Sequence, residues 1–384
     1  MGDFSRRDVA RGAMLGGASL LMGSVVLPAQ AGAHGTMLDA RALGATGDGK
    51  TDDTAVLQKA LDAASEVSSC VFLPPGVYLT NELHVRAGTA LIGIPAWNYG
   101  RGGGSVLKLA GPGSKCLLDL TDARGATIDG LSLEGGDLGA GIHGMMTDRN
   151  NYEREDSFRI ERCQVAHFTG DGMHLDCIWC FSVRHCQLAY NQGDGMNMRG
   201  WDGFILDNWF SGNHGAGFAA RHENASMTFT GNRIEWNDAG NFTIHGGDGY
   251  QITGNFFDRA GLCGIALRKN ERGHGPTQVT ITGNYIKRSG KVANPGSYDS
   301  AQIYMEGATG VTCVGNNIWA GQDDGGKGTW SPSYGIVCQG LENCVIRDNV
   351  LHDGALRQLM ADLGGHGEGV SVGENPGRLF VVPK

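Results

Sequence analysis

The chain has 384 residues, 64 of them Gly, with 41% apolar residues, 18% charged residues and a formal net charge of -9. So modest a charge content beside so many apolar residues excludes a disordered chain, the acidic balance argues against nucleic acid as a partner, and the Gly density suits a turn-rich all-β protein. A chain of this length ordinarily divides into two or three domains, a limit that a solenoid growing in one dimension escapes.

The N-terminus reads Ser5-Arg6-Arg7-Asp8-Val9-Ala10-Arg11, then an apolar run from Ala13 to Leu27, then Ala29-Gln30-Ala31. Paired arginines, an apolar stretch of about 15 residues and an A-x-A site predict a cleavable export signal over 1–31, too short to span a membrane. The twin arginine resembles the signal of the pathway that carries already folded proteins out of bacteria, which implies a periplasmic or secreted protein with no membrane attachment after cleavage. Cleavage after Ala31 leaves the mature chain at -10.

Residues 38–80 predict an N-terminal cap. Thr51, Asp52 or Asp53 can start a helix, and Val56, Leu57, Ala60, Leu61 and Ala64 give it one apolar face. Val71-Phe72-Leu73-Pro74-Pro75-Gly76-Val77-Tyr78 reads as strand, turn and strand. Gly44-Ala45, Gly47-Asp48-Gly49, Thr51-Asp52-Asp53-Thr54, Gln58, Ala60 and Pro74-Pro75-Gly76-Val77-Tyr78 together resemble the start of the pectate-lyase-like family that includes rhamnogalacturonase-type and epimerase-type β-helices. The resemblance implies a helix that plugs the open N-terminal end of a right-handed parallel β-helix, and it is more specific for fold than for reaction.

Residues 81–157 read as less regular first coils, with Ile142-His143-Gly144-Met145 entering an outward face. From 158 to 353 a short pattern recurs. Cys163, Cys186, Asn208, Asn232, Asn255, Asn284, Asn316 and Asn349 follow one another at 23, 22, 24, 23, 29, 32 and 33 residues. Three positions before each stands Ile160, Val183, Ile205, Phe229, Ile252, Ile281, Cys313 or Ile346, and two positions after each stands Val165, Leu188, Phe210, Ile234, Phe257, Ile286, Ile318 or Leu351. A repeat of this kind, built of short alternating strands, predicts stacked coils roughly 4.8 Å apart with the Asn side chains in one internal ladder. Residues 354–384 read as a C-terminal cap, so the whole of 38–384 is expected to be one all-β domain.

A third apolar pair in each coil, such as Met173 and Leu175 or Phe242 and Ile244, leaves the residues between and after it pointing outward. One outward column runs His143, His174, Asn197, Ala219, Thr243, Ala266, Tyr304, and its neighbour Met145, Asp176, Arg199, Arg221, His245, Arg268, Glu306. Cationic groups on successive coils repel one another without an anion, so the strip suits the carboxylates of a uronate chain. A His or Arg there can remove the acidified proton beside such a carboxylate. Arg221, His245 and Arg268 are the catalytic candidates on this face, with His174, Asp176, Asn197, Arg199 and Tyr304 as substrate-binding candidates. The long turns Ser289–Ser300 and Gly321–Tyr334, the latter with Trp330, are expected to wall the groove. The bland alternative is a run of surface Arg screened by salt and nearby acids.

Gly170-Asp171-Gly172-Met173-His174-Leu175-Asp176 and Asp194-Gly195-Met196-Asn197-Met198 also resemble the mannuronan C5-epimerases, another β-helix group. That group carries Asp and His on one strand and Asp on the next; here His174 and Asp176 stand in swapped order and the next strand ends in Arg199.

A second constellation lies three positions after the ladder residue, where Glu235 and Asp258 are expected to stack on neighbouring coils. Two carboxylates about 5 Å apart split their pKa values, as an acid/nucleophile pair needs. The alternative ties the pair up with Lys287, Arg259 and Arg233. Trp179, Trp201, Trp209 and Trp236 serve either sugar stacking or packing, with Trp236 the binding candidate beside the carboxylates. The Asp-Gly pairs at Asp48, Asp171, Asp194 and Asp248 read as turns. Cys163 and Cys186 stack closely enough to bridge, with buried thiols the default, and Cys177-Ile178-Trp179-Cys180 lacks the second pair or His that a zinc site needs.

These features predict an exported enzyme that cleaves a polysaccharide, uronate-containing, by lyase-type elimination. Two alternatives stand beside it: hydrolysis or intramolecular glycosyl transfer by Glu235 and Asp258, and a non-catalytic adhesin or polysaccharide-binding solenoid. The expected partner is a polysaccharide or oligosaccharide, the expected state a monomer or homotrimer. No cofactor or metal is indicated, with calcium left open.

Overall fold

The computed structural model describes residues 37–96, 103–148, 158–322 and 324–383. The export signal expected over 1–31 lies outside them. Each regular coil has three short strands. In one coil these are Arg159–Glu161 on a first face, Gln164–Ala166 on a second and Met173–Trp179 on a third. The next coil repeats them as Ser182–Arg184, Gln187–Ala189 and Met196–Leu206, each parallel to its counterpart. Among the described residues the second faces form an 11-stranded sheet, and the first and third faces run together as a 23-stranded one. The chain is a parallel β-helix.

The expected inward residues are all inside: Ile160, Val183, Ile205, Phe229, Ile252 and Ile281 from the first face and Val165, Leu188, Phe210, Ile234, Phe257 and Ile286 from the second are buried in one continuous core. Phe218, Phe229 and Phe242 meet within it at ring-centre distances of 4.9–5.2 Å. Each such ring contributes roughly 1.5–3 kcal/mol by leaving water, and no single coil could bury them alone.

The predicted ladder is present and longer than expected. Oδ1 of Asn208, Asn232, Asn255, Asn284, Asn316, Asn349 and Asn375 each accepts the backbone N–H of the preceding rung. Stacking therefore does not stop at Asp353: Gln358–Asp362 pairs with Tyr334–Gln339, and Ser371–Val372 with Val345–Arg347. A second ladder, Asn191–Asn213–Asn237–Asn241, closes the corner between second and third faces. Cys163 and Cys186 stack as buried thiols, with Cys186 donating to the Arg184 carbonyl at 3.2 Å.

Among the described residues the α-helix is Thr54–Glu66, with Leu57, Ala60, Leu61 and Ala64 buried, and no helix is long and apolar enough to cross a membrane. Asp53 precedes the helix without capping it. Its carboxylate instead accepts the backbone N–H groups of Thr46 and Gly47 at 2.8 and 3.0 Å, which fixes the preceding Gly-rich turn.

Of the two long turns, Ser289–Ser300 brings Asp299 to the third-face groove. Gly321–Tyr334 folds into an antiparallel pair of Gly321–Gln322 with Trp330–Ser331, and Trp330 packs on Phe380 of the tail at 4.8 Å.

Candidate active site

On the third face the register stacks His174, Asn197, Ala219, Thr243, Ala266 and Tyr304 in one outward column. Asp176 faces Arg199 and His245 faces Arg268 in the neighbouring column, with Arg221 following Ala220 and Glu306 following Met305 at the same level. The expectation that His143 and Met145 begin these columns is corrected: Met146 aligns with His174, and Met145 is fully buried. The alternation breaks at Gly144, where a Cβ would sit 2.3 Å from Val165 and 2.5 Å from the Gly172 carbonyl. His143 still reaches the face, its ring 4.5 Å from that of His174.

The turns entering these strands supply the acids. Oδ1 of Asp171 accepts the backbone N–H of Asp194 at 2.7 Å, and Oδ1 of Asp194 accepts that of Ala216 at 2.6 Å. Only glycine fits opposite each carboxylate, because a Cβ at Gly193 would lie 2.2 Å from Asp171 and one at Gly215 2.4 Å from Asp194. The same bond aims each Oδ2 along the outward face. Asp171 Oδ2 accepts from His174 Nδ1 at 2.8 Å, and Asp194 Oδ2 pairs with Arg221. Asp171 and Asp194 are thus turn residues, as read from the sequence, and groove residues as well. Their turn function masked the second role.

Electrostatics divide the groove. At one end the hydrogen bond from His174 to Asp171 raises the imidazole against the opposing effect of burial. Burial works to raise the Asp171 carboxyl, but His174, the Asp194 N–H and the neighbouring imidazoles hold it below its usual range. His143 accepts the Asp171 backbone N–H at 2.9 Å and is pushed down by burial. His143, Asp171 and His174 bring one ligand atom each within 4.8 Å, as do Cys338, Asp362 and His366, and Glu82, His84 and Asp119. In the first group the ring nitrogens facing Asp171 are already engaged in the hydrogen bonds just described. Asp176 holds Arg199, which is buried, at 2.7 Å, and these two with His174, Asn197 and His222 line a pocket of about 240 Å³.

Further along, His245 lies between Arg221 and Arg268. Burial lowers its pKa first, and repulsion from the two guanidiniums lowers it further, so the ring is neutral near neutrality. Arg221 is held by Asp194 and Arg268 by Asp299 of the 289–300 turn. Arg221, Thr243, His245, Arg268 and Asp299 line an open pocket of about 390 Å³. Tyr304 borders it, with the Arg268 guanidinium 4.7 Å from its ring, and burial raises the phenol so that it stays protonated. Trp201 and His222 line the stretch beside Arg221. His222 escaped the sequence reading because it follows the strand and breaks the period-two pattern.

Glu235 and Asp258 do stack, on the second face, and both carboxylates are paired with cations. Glu235 accepts from Trp209 at 3.0 Å and Arg233 at 2.9 Å. Asp258 is contacted by Arg259, Lys287 and Arg288, the last at 2.6 and 2.9 Å. Burial raises the Asp258 carboxyl above its usual range, against the downward pull of Arg288, Lys287 and Arg259. Trp236 carries the Arg259 guanidinium at 4.4 Å and Lys291 at 5.1 Å, on the corner outside the groove.

A single-chain parallel β-helix with a polar, charge-lined groove along one sheet defines the class. Within it, residues 37–266 match the model of the rhamnogalacturonase A/epimerase, pectate lyase-like family, and residues 221–380 match the right-handed β-helix region. The chain belongs to this pectate lyase-like family, and its helix is right-handed. The mannuronan C-5 epimerase AlgE4 A-module of Azotobacter vinelandii is 17% identical with a TM-score of 0.56, over 89% of this chain and 98% of that one. The DFA-IIIase of Arthrobacter chlorophenolicus A6 without its lid is 13% identical with a TM-score of 0.60, over 90% and 99%. At these identities the likeness is one of fold. A 63-residue stretch is 40% identical to the non-secreted LysM effector LysM15 of Penicillium expansum, covering 16% of this chain and only 4% of that protein.

Proposed function

We propose that the protein is an exported enzyme that cleaves a uronate-containing polysaccharide by β-elimination in the third-face groove. The observation that carries this reading is a neutral His245 held between Arg221 and Arg268 in an open pocket. A guanidinium has five N–H donors, so pairing with Asp194 or Asp299 leaves each Arg with donors for a substrate carboxylate. Those donors stabilise the charge that develops when His245 takes the proton at C5. The electron pair forms the C4–C5 double bond, the C4–O bond breaks, and the departing oxygen takes a proton from water. His174 and Asn197, beside the Asp176–Arg199 pair, bind a sugar further along the chain, since coils repeat at roughly the length of one sugar unit. Incubation with a panel of acidic and neutral polysaccharides, read both by ultraviolet absorbance of unsaturated uronate ends and by reducing-sugar release, tests this. Reducing ends that appear without absorbance would exclude elimination.

A further inference from the structure

The outward surface of the second face presents a different chemistry. Register stacks Trp209, Arg233, Phe256 and Tyr285 in one column, with Asn317 next. Glu235, Asp258, Lys287 and Trp319 form the column beside it. The Arg233 guanidinium is inserted between rings, 5.7 Å from Trp209 and 4.5 Å from Phe256. Phe256 and Tyr285 follow at 5.0 Å, and the Lys287 ammonium lies 5.1 and 5.4 Å from their centres. The rings are half-buried, and the Arg233 side chain is 47% exposed.

Beneath them Glu235 and Asp258 are buried, and their charges do not balance the cations above. Arg259, Lys287 and Arg288 all contact Asp258, while Arg233 contacts Glu235. Burial and the neighbouring guanidiniums together press the Lys287 pKa down despite Asp258, as expected where positive charge is in excess. This patch sits on a chain whose net charge is -9. The column ends at a pocket of about 400 Å³ lined by Tyr285, Asn317, Trp319, His352 and Phe380.

We infer that this face is a second binding surface, separate from the groove, for an anionic polysaccharide lying along the solenoid axis. Cations interleaved with half-buried aromatic side chains, along a column whose coils lie roughly 4.8 Å apart, suit successive charged sugar units and select carboxylate- or sulfate-bearing chains over neutral ones. In this reading the buried carboxylates hold the cations in place and perform no chemistry. The surface needs nothing from the groove, so it stands or falls independently of the elimination reaction.

The test is affinity electrophoresis of the mature protein in gels containing polygalacturonate, alginate or neutral dextran. A background carrying His245→Ala, Arg221→Gln and Arg268→Gln keeps the polymers intact and removes the groove's carboxylate-binding cations. Arg233→Gln and, separately, Tyr285→Ala are expected to weaken retardation by the acidic polymers roughly tenfold, the size of one desolvated cation–π or stacking contact. Dextran is expected to give no retardation, and the circular dichroism spectrum of Arg233→Gln is expected to match its parent. Retardation unchanged in both variants would overturn the inference. So would a change in sedimentation coefficient with retardation unaltered, which would make the face a contact between copies of the chain.

Discussion

Asn208 and Asn232 share one acceptor: Oδ1 of Asn232 takes both the backbone N–H of Asn208 at 2.9 Å and its side-chain amide at 3.1 Å. Asn232 in turn donates to the Ile205 carbonyl at 2.9 Å and to Asn255 at 3.0 Å, so one side chain joins three coils. Asn232→Ala leaves buried donors and an acceptor without partners in a place water cannot reach. The expected cost is about 2–4 kcal/mol, measured as a lower denaturant midpoint. A midpoint equal to wild type would mean that the ladder is ornamental.

This ladder was legible in sequence because a packed solenoid core must repeat, and Ile205, Phe229 and Ile252 fall three residues before Asn208, Asn232 and Asn255. The second ladder was equally legible: Asn191, Asn213 and Asn237 each stand five residues after a rung of the first, until Ala260 breaks the series. Outward columns followed from period-two alternation wherever it was unbroken and failed at Gly144. What the pattern could not supply was side-chain reach. Asp299 finds Arg268 from a turn 31 residues away, and Arg288 finds Asp258 across 30. Those pairings decide which carboxylates are free to do chemistry, and they depend on loop geometry that carries no period.

His245→Ala is expected to reduce turnover by roughly 10²–10⁴, the usual contribution of a positioned base, and Arg221→Ala to do comparable damage. Both side chains face the groove, so circular dichroism and melting should stay near wild type. Near wild-type turnover in both variants, on a polymer the parent cleaves, would remove the groove from consideration.

The pH profile carries a sign. As the proposed base His245 acts deprotonated, and its pKa lies below the ordinary 6.5, so the base is present at neutral pH and is lost as acid protonates it below that value. Arg268→Gln removes one of the two repelling charges. The acid limb of kcat/KM in that variant is therefore expected to move to higher pH. A limb that stays put would mean another group sets it.

The last prediction separates elimination from hydrolysis. If Glu235 and Asp258 were an acid and nucleophile acting together, removing either would cost orders of magnitude in rate. In the structure they hold Arg233, Arg259, Lys287 and Arg288 on a different face from the groove. Glu235→Gln is accordingly expected to cost about tenfold or less, the range for a supporting side chain. Asp258→Asn is the harsher change, because it leaves three cations around a neutral amide, and it is expected to lose about 3–5 kcal/mol of stability whatever its effect on rate. Glu235→Gln is therefore the cleaner probe, measured beside Arg221→Ala with products checked for a 4,5-unsaturated ring. Inactive Arg221→Ala with unsaturated products from the parent supports the groove. Inactive Glu235→Gln with saturated products transfers the chemistry to the second face. A parent that binds acidic polymers, cleaves none of them and binds equally well as either variant would be an adhesin.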